Sequence, residues 1–273
     1  MKVVDALPEL NRPCAFVPTM GALHAGHQSL IRIAREFADE VVVSVFVNPL
    51  QFENQDDLAK YPRTPERDEE LAKEAGATIL WRPSAGSIYP GDELRLSAGE
   101  LGSKFEGVKR TGHFDGVLTV VNRLFEMVKP RYAIFGEKDF QQLFLIRKMA
   151  SQRHPGIEII TAPTIREGSG LALSSRNVRL SNDGRVAADA ISRVLRSAAS
   201  QESLLTMKEE LAKIDGEGRF ILDYAEIIDE NTFDIATQET PNKRAIIAGW
   251  IDGVRLIDTM AMSHINSSRL ASV

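Results

Sequence analysis

The residues best equipped for chemistry are gathered in one short run, Val17-Pro18-Thr19-Met20-Gly21-Ala22-Leu23-His24-Ala25-Gly26-His27. The apolar stretch Ala15 to Val17 leads into it and reads as a buried strand. Gln28 to Phe37 follow with apolar residues at helical spacing. A strand, a glycine-bearing turn and a helix start make a corner suited to holding phosphate, because the first N–H groups of a helix are unpaired and partly positive. His24 and His27, three apart on that start, lie on one face and can both donate to phosphate oxygens. Gly26 between them leaves the backbone open to close approach. The chain has only five histidines, and two are here.

Further clusters follow other strands. In Phe46-Val47-Asn48-Pro49-Leu50-Gln51-Phe52, Asn48 reads as a turn former before Pro49. Gln51 sits between apolar residues fit to wall a pocket, and its amide can bind both a hydroxyl and a carboxylate. Tyr61-Pro62-Arg63-Thr64 leads to Glu66 and Asp68, which either complement the dipole of a helix start or, for Asp68, help hold a magnesium ion. Phe135-Gly136-Glu137-Lys138-Asp139-Phe140-Gln141-Gln142 forms a second strand-turn-helix corner. There Lys138 can place a point charge on phosphate, Gly136 permits close approach, and Gln142 can face the crevice beside Gln51. Leu173-Ser174-Ser175-Arg176-Asn177 follows a glycine-rich hinge at Arg166 to Gly170. Its two hydroxyls and guanidinium suit a loop that closes over a triphosphate and stabilises departing pyrophosphate. Arg110-Thr111-Gly112-His113-Phe114 adds a further cation and histidine of lower rank.

These residues need a scaffold, and the pattern supplies one. Strands expected at Ala15 to Val17, Val41 to Val47, Thr78 to Trp81, Tyr132 to Phe135 and Ile157 to Thr161 alternate with helices at Gln28 to Phe37, Pro65 to Ala75, Val117 to Val128 and from Asp139, as N-cap, through Met149. That alternation predicts an α/β fold with a parallel sheet. Beyond the hinge the order changes to helices at Asp183 to Ser200 and Ser203 to Ile214, then strands at Arg219 to Ile228, Arg244 to Trp250 and Arg255 to Asp258. The expectation is a Rossmann-like domain over 1–163 and a smaller α+β lid domain over 164–273, with Ser263 to Val273 a loose tail.

Composition narrows the partners. The 273 residues allow one large or two modest domains, and 43% hydrophobic with 26% charged residues is ordinary for a soluble globular chain. A net charge of −5 gives no basic surplus for general nucleic-acid binding. No apolar run reaches the length of a membrane span, and Met1 to Pro8 lacks a signal peptide's apolar core. Cys14, the single cysteine, fits a reducing cytosol and packs in the first strand.

The His-x-Gly-His corner resembles the signature of the nucleotidylyl-transferase superfamily. Taken with Phe16 to Met20, Val45 to Phe52, Tyr61 to Thr64, Thr111 to Val121, Phe135 to Leu143 and Leu173 to Asn177, in that order over about two-thirds of the chain, it resembles the pantoate–β-alanine ligase family. The resemblance is weaker in the second domain, where Asp223 to Asp229 and Arg255 to Asp258 carry it. It implies a cytoplasmic homodimer that condenses pantoate with β-alanine while ATP becomes AMP and pyrophosphate. It also implies roles. His24 and His27 contact the ATP phosphates, with His27 the usual proton donor. Met20, Gly21, Ala22, Leu23, Ala25, Gly26, Gly136, Glu137, Lys138, Asp139 and Ile165 line the ATP site, with Lys138 on phosphate. Leu173, Ser174, Ser175 and Arg176 close over the triphosphate, the last three with catalytic roles. Gln51 and Gln142 bind pantoate with Thr19 and Met20 beside it, and Asp68 matches a magnesium-binding carboxylate. Two departures stand out: Leu173 replaces a frequent methionine, and Ala248-Gly249-Trp250 replaces a more usual Ala-Ala-Arg run.

Three other readings compete. An adenylyltransferase with a phosphate acceptor would want lysine and arginine where Gln51 and Gln142 stand. A relative of class I aminoacyl-tRNA synthetases would want a tRNA-binding domain. A nucleotide-binding regulatory module would have no need of Lys138, both histidines and Ser174 to Arg176 together. Acyl transfer from an adenylate needs no covalent enzyme intermediate, so no serine or cysteine nucleophile is expected.

Overall fold

Cys14 to Val17 and Val41 to Val43 are almost wholly inaccessible, as strands covered by helices on both faces must be. In the computed structural model, which describes residues 1–53 and 55–262, they form the middle of a six-stranded sheet. Its strands are β1 (Lys2–Val4), β2 (Cys14–Thr19), β3 (Glu40–Val45), β4 (Ile79–Trp81), β5 (Tyr132–Gly136) and β6 (Glu158–Ala162). They run parallel in the order β1-β4-β3-β2-β5-β6. From β2 the chain winds one way through β3 and β4, then crosses back to lay β5 and β6 on the other side. The strand order therefore switches between β2 and β5, and in such sheets ligands bind beyond the carboxyl ends of the strands at that point.

Among the described residues the four longest helices of this unit are α1 (Ala25–Phe37), α2 (Pro65–Ala75), α3 (His113–Val128) and α4 (Phe140–Arg153). Proline in the first turn of α2 costs no hydrogen bond, and Gly76, at φ 98°, ends the helix by donating to Ala72 and Lys73. Against expectation α3 starts at His113 rather than Val117. Gly112 turns the chain at φ 74°, and His113 and Phe114 are drawn into the core. Asp139 does stand before α4, yet it makes no side-chain cap. Its backbone (φ −94°, ψ 58°) leaves the extended region that capping requires, because a 3-10 turn over Glu137–Asp139 feeds the helix. Ile31, Ala34, Val41, Val43, Leu80 and Ile134 pack one side of the sheet. On the other, Phe125 meets Phe16 and Phe135 edge-on at 6.5 and 6.3 Å.

This first compact unit comprises Met1–Ile165 together with Leu173–Ser175; the second takes Arg166–Ala172 and the chain from Arg176 onward. In the second unit, α5 (Asn182–Ala199) and α6 (Leu204–Ala212) precede an antiparallel sheet in the order β7 (Ile221–Asp229), β8 (Lys243–Ile251), β9 (Val254–Ala261). Ser181 and Ser203 cap the two helices by accepting from Gly184 and Thr206 N–H groups. Asp252 and Gly253, at φ 51° and 74°, form the two-residue hairpin turn that sets the β8–β9 register. Ile191, Leu195, Ile227, Ile247 and Leu256 share the core.

The glycine-rich segment expected as a slack hinge is a tied hairpin. Arg166 bridges to Ala172, Glu167 N–H donates to the Leu171 carbonyl at 2.8 Å, and Arg166 makes a bidentate pair with buried Asp258 at 2.6 and 3.0 Å. Arg185 holds both oxygens of Glu167. Gly170 is glycine because its φ is 102° and a Cβ would lie 2.5 Å from Ser192 Oγ. The unusual Gly249-Trp250 pair also has a local cause. The Phe220 ring occupies the space a Cβ on Gly249 would need, and the Trp250 indole donates to Asp223, which also accepts from Arg255. Trp250 lies directly across from Arg255, so an arginine at 250 would oppose a like charge. Ser263 to Val273 lie outside the described residues. Among those described, no helix is long and apolar enough to cross a membrane.

Candidate active site

The carboxyl ends of β3, β2, β5 and β6 release, side by side, most of the residues singled out from sequence. At the end of β2, Thr19 Oγ1 donates to the Ser44 carbonyl and accepts from Gly21 N–H. Gly21 and Ala22 then both take positive φ, 83° and 50°. What holds this turn is Asp68 of α2. Its oxygens accept from Ala22 N–H at 3.1 Å, Leu23 N–H at 2.8 Å and the Thr64 hydroxyl at 2.9 Å. A Cβ on Gly21 would sit 2.8 Å from the same carboxylate. Asp68 is only 1% exposed. Three of the carboxylate's acceptor sites are thus engaged by the protein in a site closed to solvent. The role these contacts give Asp68 is that of the peg around which the turn is wrapped.

His24 is the N-cap of α1, and its Nδ1 accepts from Gly26 N–H at 3.1 Å. A backbone N–H can only donate, so Nδ1 is bare and the ring proton sits on Nε2. The glycine between the histidines now has an internal reason: a Cβ there would lie 2.8 Å from His24 Cε1, so only Gly26 lets the ring fold onto its own backbone. The two imidazoles pack at 4.2 Å. Burial first, then the nearby Lys138 cation, pushes the His24 pKa down to about 4. Burial and the neighbouring His24 push His27 down to about 3, with Asp139 opposing in both cases. Both rings are neutral in the free protein at neutral pH. His27 Nδ1 is enclosed and has no hydrogen-bond partner among the described residues, an arrangement that costs about 1–3 kcal/mol.

These depressed values set a pH dependence. Unfolded histidine titrates near 6.5, so between 6.5 and the folded values the unfolded chain binds more protons. The contribution is complete above about 6.5 and falls as pH drops toward 4 and below, by up to about 1.4 kcal/mol per pH unit for each histidine. Thermal midpoints measured from pH 7 to 4 should fall steeply, and the double variant His24→Asn/His27→Asn should show a visibly shallower fall.

Beyond β5, Lys138 makes no ion pair with any described residue, while Glu137 accepts from Thr164 N–H beyond β6. The two neighbouring amides of α4 have different fates. Buried Gln141 donates to the Leu101 and Lys104 carbonyls and accepts from Glu106 N–H, which ties down a loop. Half-buried Gln142 makes no side-chain hydrogen bond among the described residues. Leu173 donates its N–H to Ile165 O, placing Leu173, Ser174 and Ser175 with this unit; Arg176 belongs to the second unit.

Sequence reasoning misses the support under Gln51. Asn48 is buried, and its amide donates to the Gln51 side chain and to the Gly116 carbonyl, each at 3.1 Å. His113 Nδ1 lies 3.0 Å from the Gln51 carbonyl, so the low-ranked histidine supports backbone. Burial, then the Arg110 cation, drives its pKa down to about 4. The available signal is the close spacing of Asn48 and Gln51 around Pro49, which a 3-10 turn over Pro49–Gln51 uses to bring the amides together.

A family model described as Pantoate-beta-alanine ligase matches residues 2–261 of the chain. A pantothenate synthetase of Acidothermus cellulolyticus is 46% identical over 262 residues, spanning 93% of this chain and 86% of that one. One of Sphingopyxis alaskensis is 45% identical, spanning 95% of each. Among solved structures, pantothenate synthetase from Thermus thermophilus superposes with a TM-score of 0.89 at 38% identity, over 96% of this chain and all of that one. Pantoate-beta-alanine ligase from Francisella tularensis, crystallised with Beta-gamma ATP and beta-alanine, gives 0.79 at 35% identity over 96% and 98%.

Proposed function

The chain belongs to the pantoate-β-alanine ligase family, and from that premise we propose how its own residues carry out the ligation. It is an ATP-dependent ligase that joins pantoate to β-alanine, giving pantothenate, AMP and pyrophosphate. In the first step a pantoate carboxylate oxygen attacks the α-phosphorus of ATP, and the bond to the β-phosphate oxygen breaks to release pyrophosphate. In the second, the uncharged amine of β-alanine attacks the acyl carbon. The carbon–oxygen bond breaks, AMP departs with that oxygen, and the amine's surplus proton passes to solvent.

The observation that carries this reading is the pair of neutral imidazoles at the sheet's switch point, one with its proton assigned to Nε2. His24 Nε2–H is a donor ready for a phosphate oxygen, and it needs no reorganisation as charge builds on the departing pyrophosphate. A His27 ring with a pKa near 3 donates a hydrogen bond rather than delivering a proton in the free protein. Lys138 adds a point charge beside it. Met20 to Ala25 bring backbone to the nucleotide; Gly136, Asp139, Ile165 and Leu173 line its site, and Ser174 and Ser175 supply hydroxyls. Arg176 keeps its role as a phosphate cation within the proposal. Magnesium would travel with the ATP phosphates rather than on Asp68. Homodimerisation, a cytoplasmic location and a lid role for the second unit rest on the family resemblance.

Gln51 and Gln142, with Thr19 and Met20 beside them, hold pantoate. Gln51→Ala should therefore weaken pantoate by about tenfold or more, the loss of one hydrogen bond to a charged or buried group, while ATP affinity stays within a few-fold. Separate titrations with each ligand test this, and a selective loss of ATP would show the pocket is misplaced.

A further inference from the structure

Asn48 is 1% exposed, and all of its amide hydrogen-bonding positions are filled. Its Nδ2 donates to the Gly116 carbonyl and to Gln51 Oε1; its Oδ1 accepts from Leu50 N–H at 3.2 Å and from the Tyr89 hydroxyl at 2.6 Å. A backbone carbonyl only accepts and a backbone N–H only donates, so the two ends of Asn48 are assigned by chemistry and not by choice of rotamer. The assignment passes to Gln51. Its Oε1 already accepts from Asn48, which turns that end of the amide toward the protein, while its Nε2 donates to no described residue, so the end left open to a ligand is the NH2 donor. Tyr89 supplies the shortest bond in this chain of contacts. Its ring is itself held, with Phe46 at 6.1 Å and the Arg95 guanidinium 5.3 Å from its centroid. Arg95 is fixed in turn by Glu93 at 2.6 Å.

We propose that Tyr89 is a positioning and specificity residue of the acid pocket: through Asn48 it fixes the Gln51 amide so that the pocket turns the NH2 donor toward substrate. The inference rests on the assignment of Gln51 to pantoate. It selects an acid that presents an acceptor oxygen at this point, a carboxylate or a hydroxyl lone pair, and disfavours an analogue that presents an ammonium.

The test is steady-state kinetics on Tyr89→Phe, Gln51→Ala, their double variant and Gln51→Glu, with thermal midpoints for each. Tyr89→Phe keeps the ring and its Phe46 and Arg95 contacts while removing only the hydroxyl. It should raise the pantoate KM by about fivefold or more, with kcat and the ATP KM within about twofold. Added to Gln51→Ala, it should change the pantoate KM by less than about twofold, because both substitutions act on one contact. Gln51→Glu, which puts an acceptor and a charge where the donor was, should bind pantoate worse than Gln51→Ala. An unchanged pantoate KM in Tyr89→Phe, an equal rise in the ATP KM, full additivity in the double variant, or better binding by Gln51→Glu than by Gln51→Ala would each overturn the inference. If Gln51→Ala itself leaves the pantoate KM unaltered, the pocket assignment fails and takes the inference with it; if only Tyr89→Phe is silent, the pocket stands and the inference alone fails.

Discussion

Replacing His24 or His27 by asparagine lowers turnover at saturating substrate by about a hundredfold or more, equivalent to about 2.7 kcal/mol of lost transition-state stabilisation. The choice of asparagine matters at position 24. His24 caps α1 with its own side chain, and alanine would add about 1 kcal/mol of lost capping to any catalytic effect. Asparagine is itself a good N-cap, so the fold is preserved while the Nε2–H donor is lost. At position 27 the substitution replaces an enclosed nitrogen that has no partner among the described residues with another polar group, so activity should fall far more than stability. Single-turnover measurement of pyrophosphate release, alongside the thermal midpoint, separates the two effects. Near-normal release in both variants would remove the histidines from the phosphate site.

Asp68→Asn should cost stability and activity together. The carboxylate accepts from two backbone N–H groups and a hydroxyl in a site closed to water. An asparagine must turn its own NH2 toward a donor, leaving buried groups opposed, and the expected loss is about 3 kcal/mol. The turn over Gly21 to Leu23 that loosens is the one that leads into His24, so kcat should fall by at least about tenfold through misplacement alone. The magnesium concentration that gives half-maximal rate should stay where it was. A marked rise in that requirement, with the thermal midpoint unchanged, would make Asp68 a metal ligand after all.

Much of this architecture is legible in the amino-acid sequence. Parallel strands buried on both faces announce themselves as unbroken apolar runs, so β2, β3 and β5 can be placed, and with them the corners holding His24, His27, Lys138 and Gln51. What escapes shares a cause: a residue type is taken for its commonest use, and a partner distant in sequence goes unseen. Asp68 reads as a possible metal ligand because nothing local shows that the Ala22 and Leu23 N–H groups converge on it from 45 residues or more away. Gly168 and Gly170 look like freedom, whereas Arg166, Asp258, Arg185 and Glu167 bind that segment tightly. Asn48 passes for a turn former, which it is, since its side chain accepts from Leu50 N–H; its second task needs Gly116 and Tyr89 brought in by the fold. The edge strand β1 escapes because three residues show no period, and its pairing to β4 exists only once the sheet is built.

Activation of pantoate as an acyl adenylate leaves a trace in where its oxygen goes. Pantoate labelled with oxygen-18 in its carboxylate is turned over with ATP and β-alanine, and the products are weighed by mass spectrometry. The oxygen that attacks the α-phosphorus leaves with AMP when the amine takes the acyl group. One labelled oxygen is expected in the phosphate of each AMP formed. Unlabelled AMP, with both carboxylate oxygens still in the pantoyl product or released to water, would contradict it.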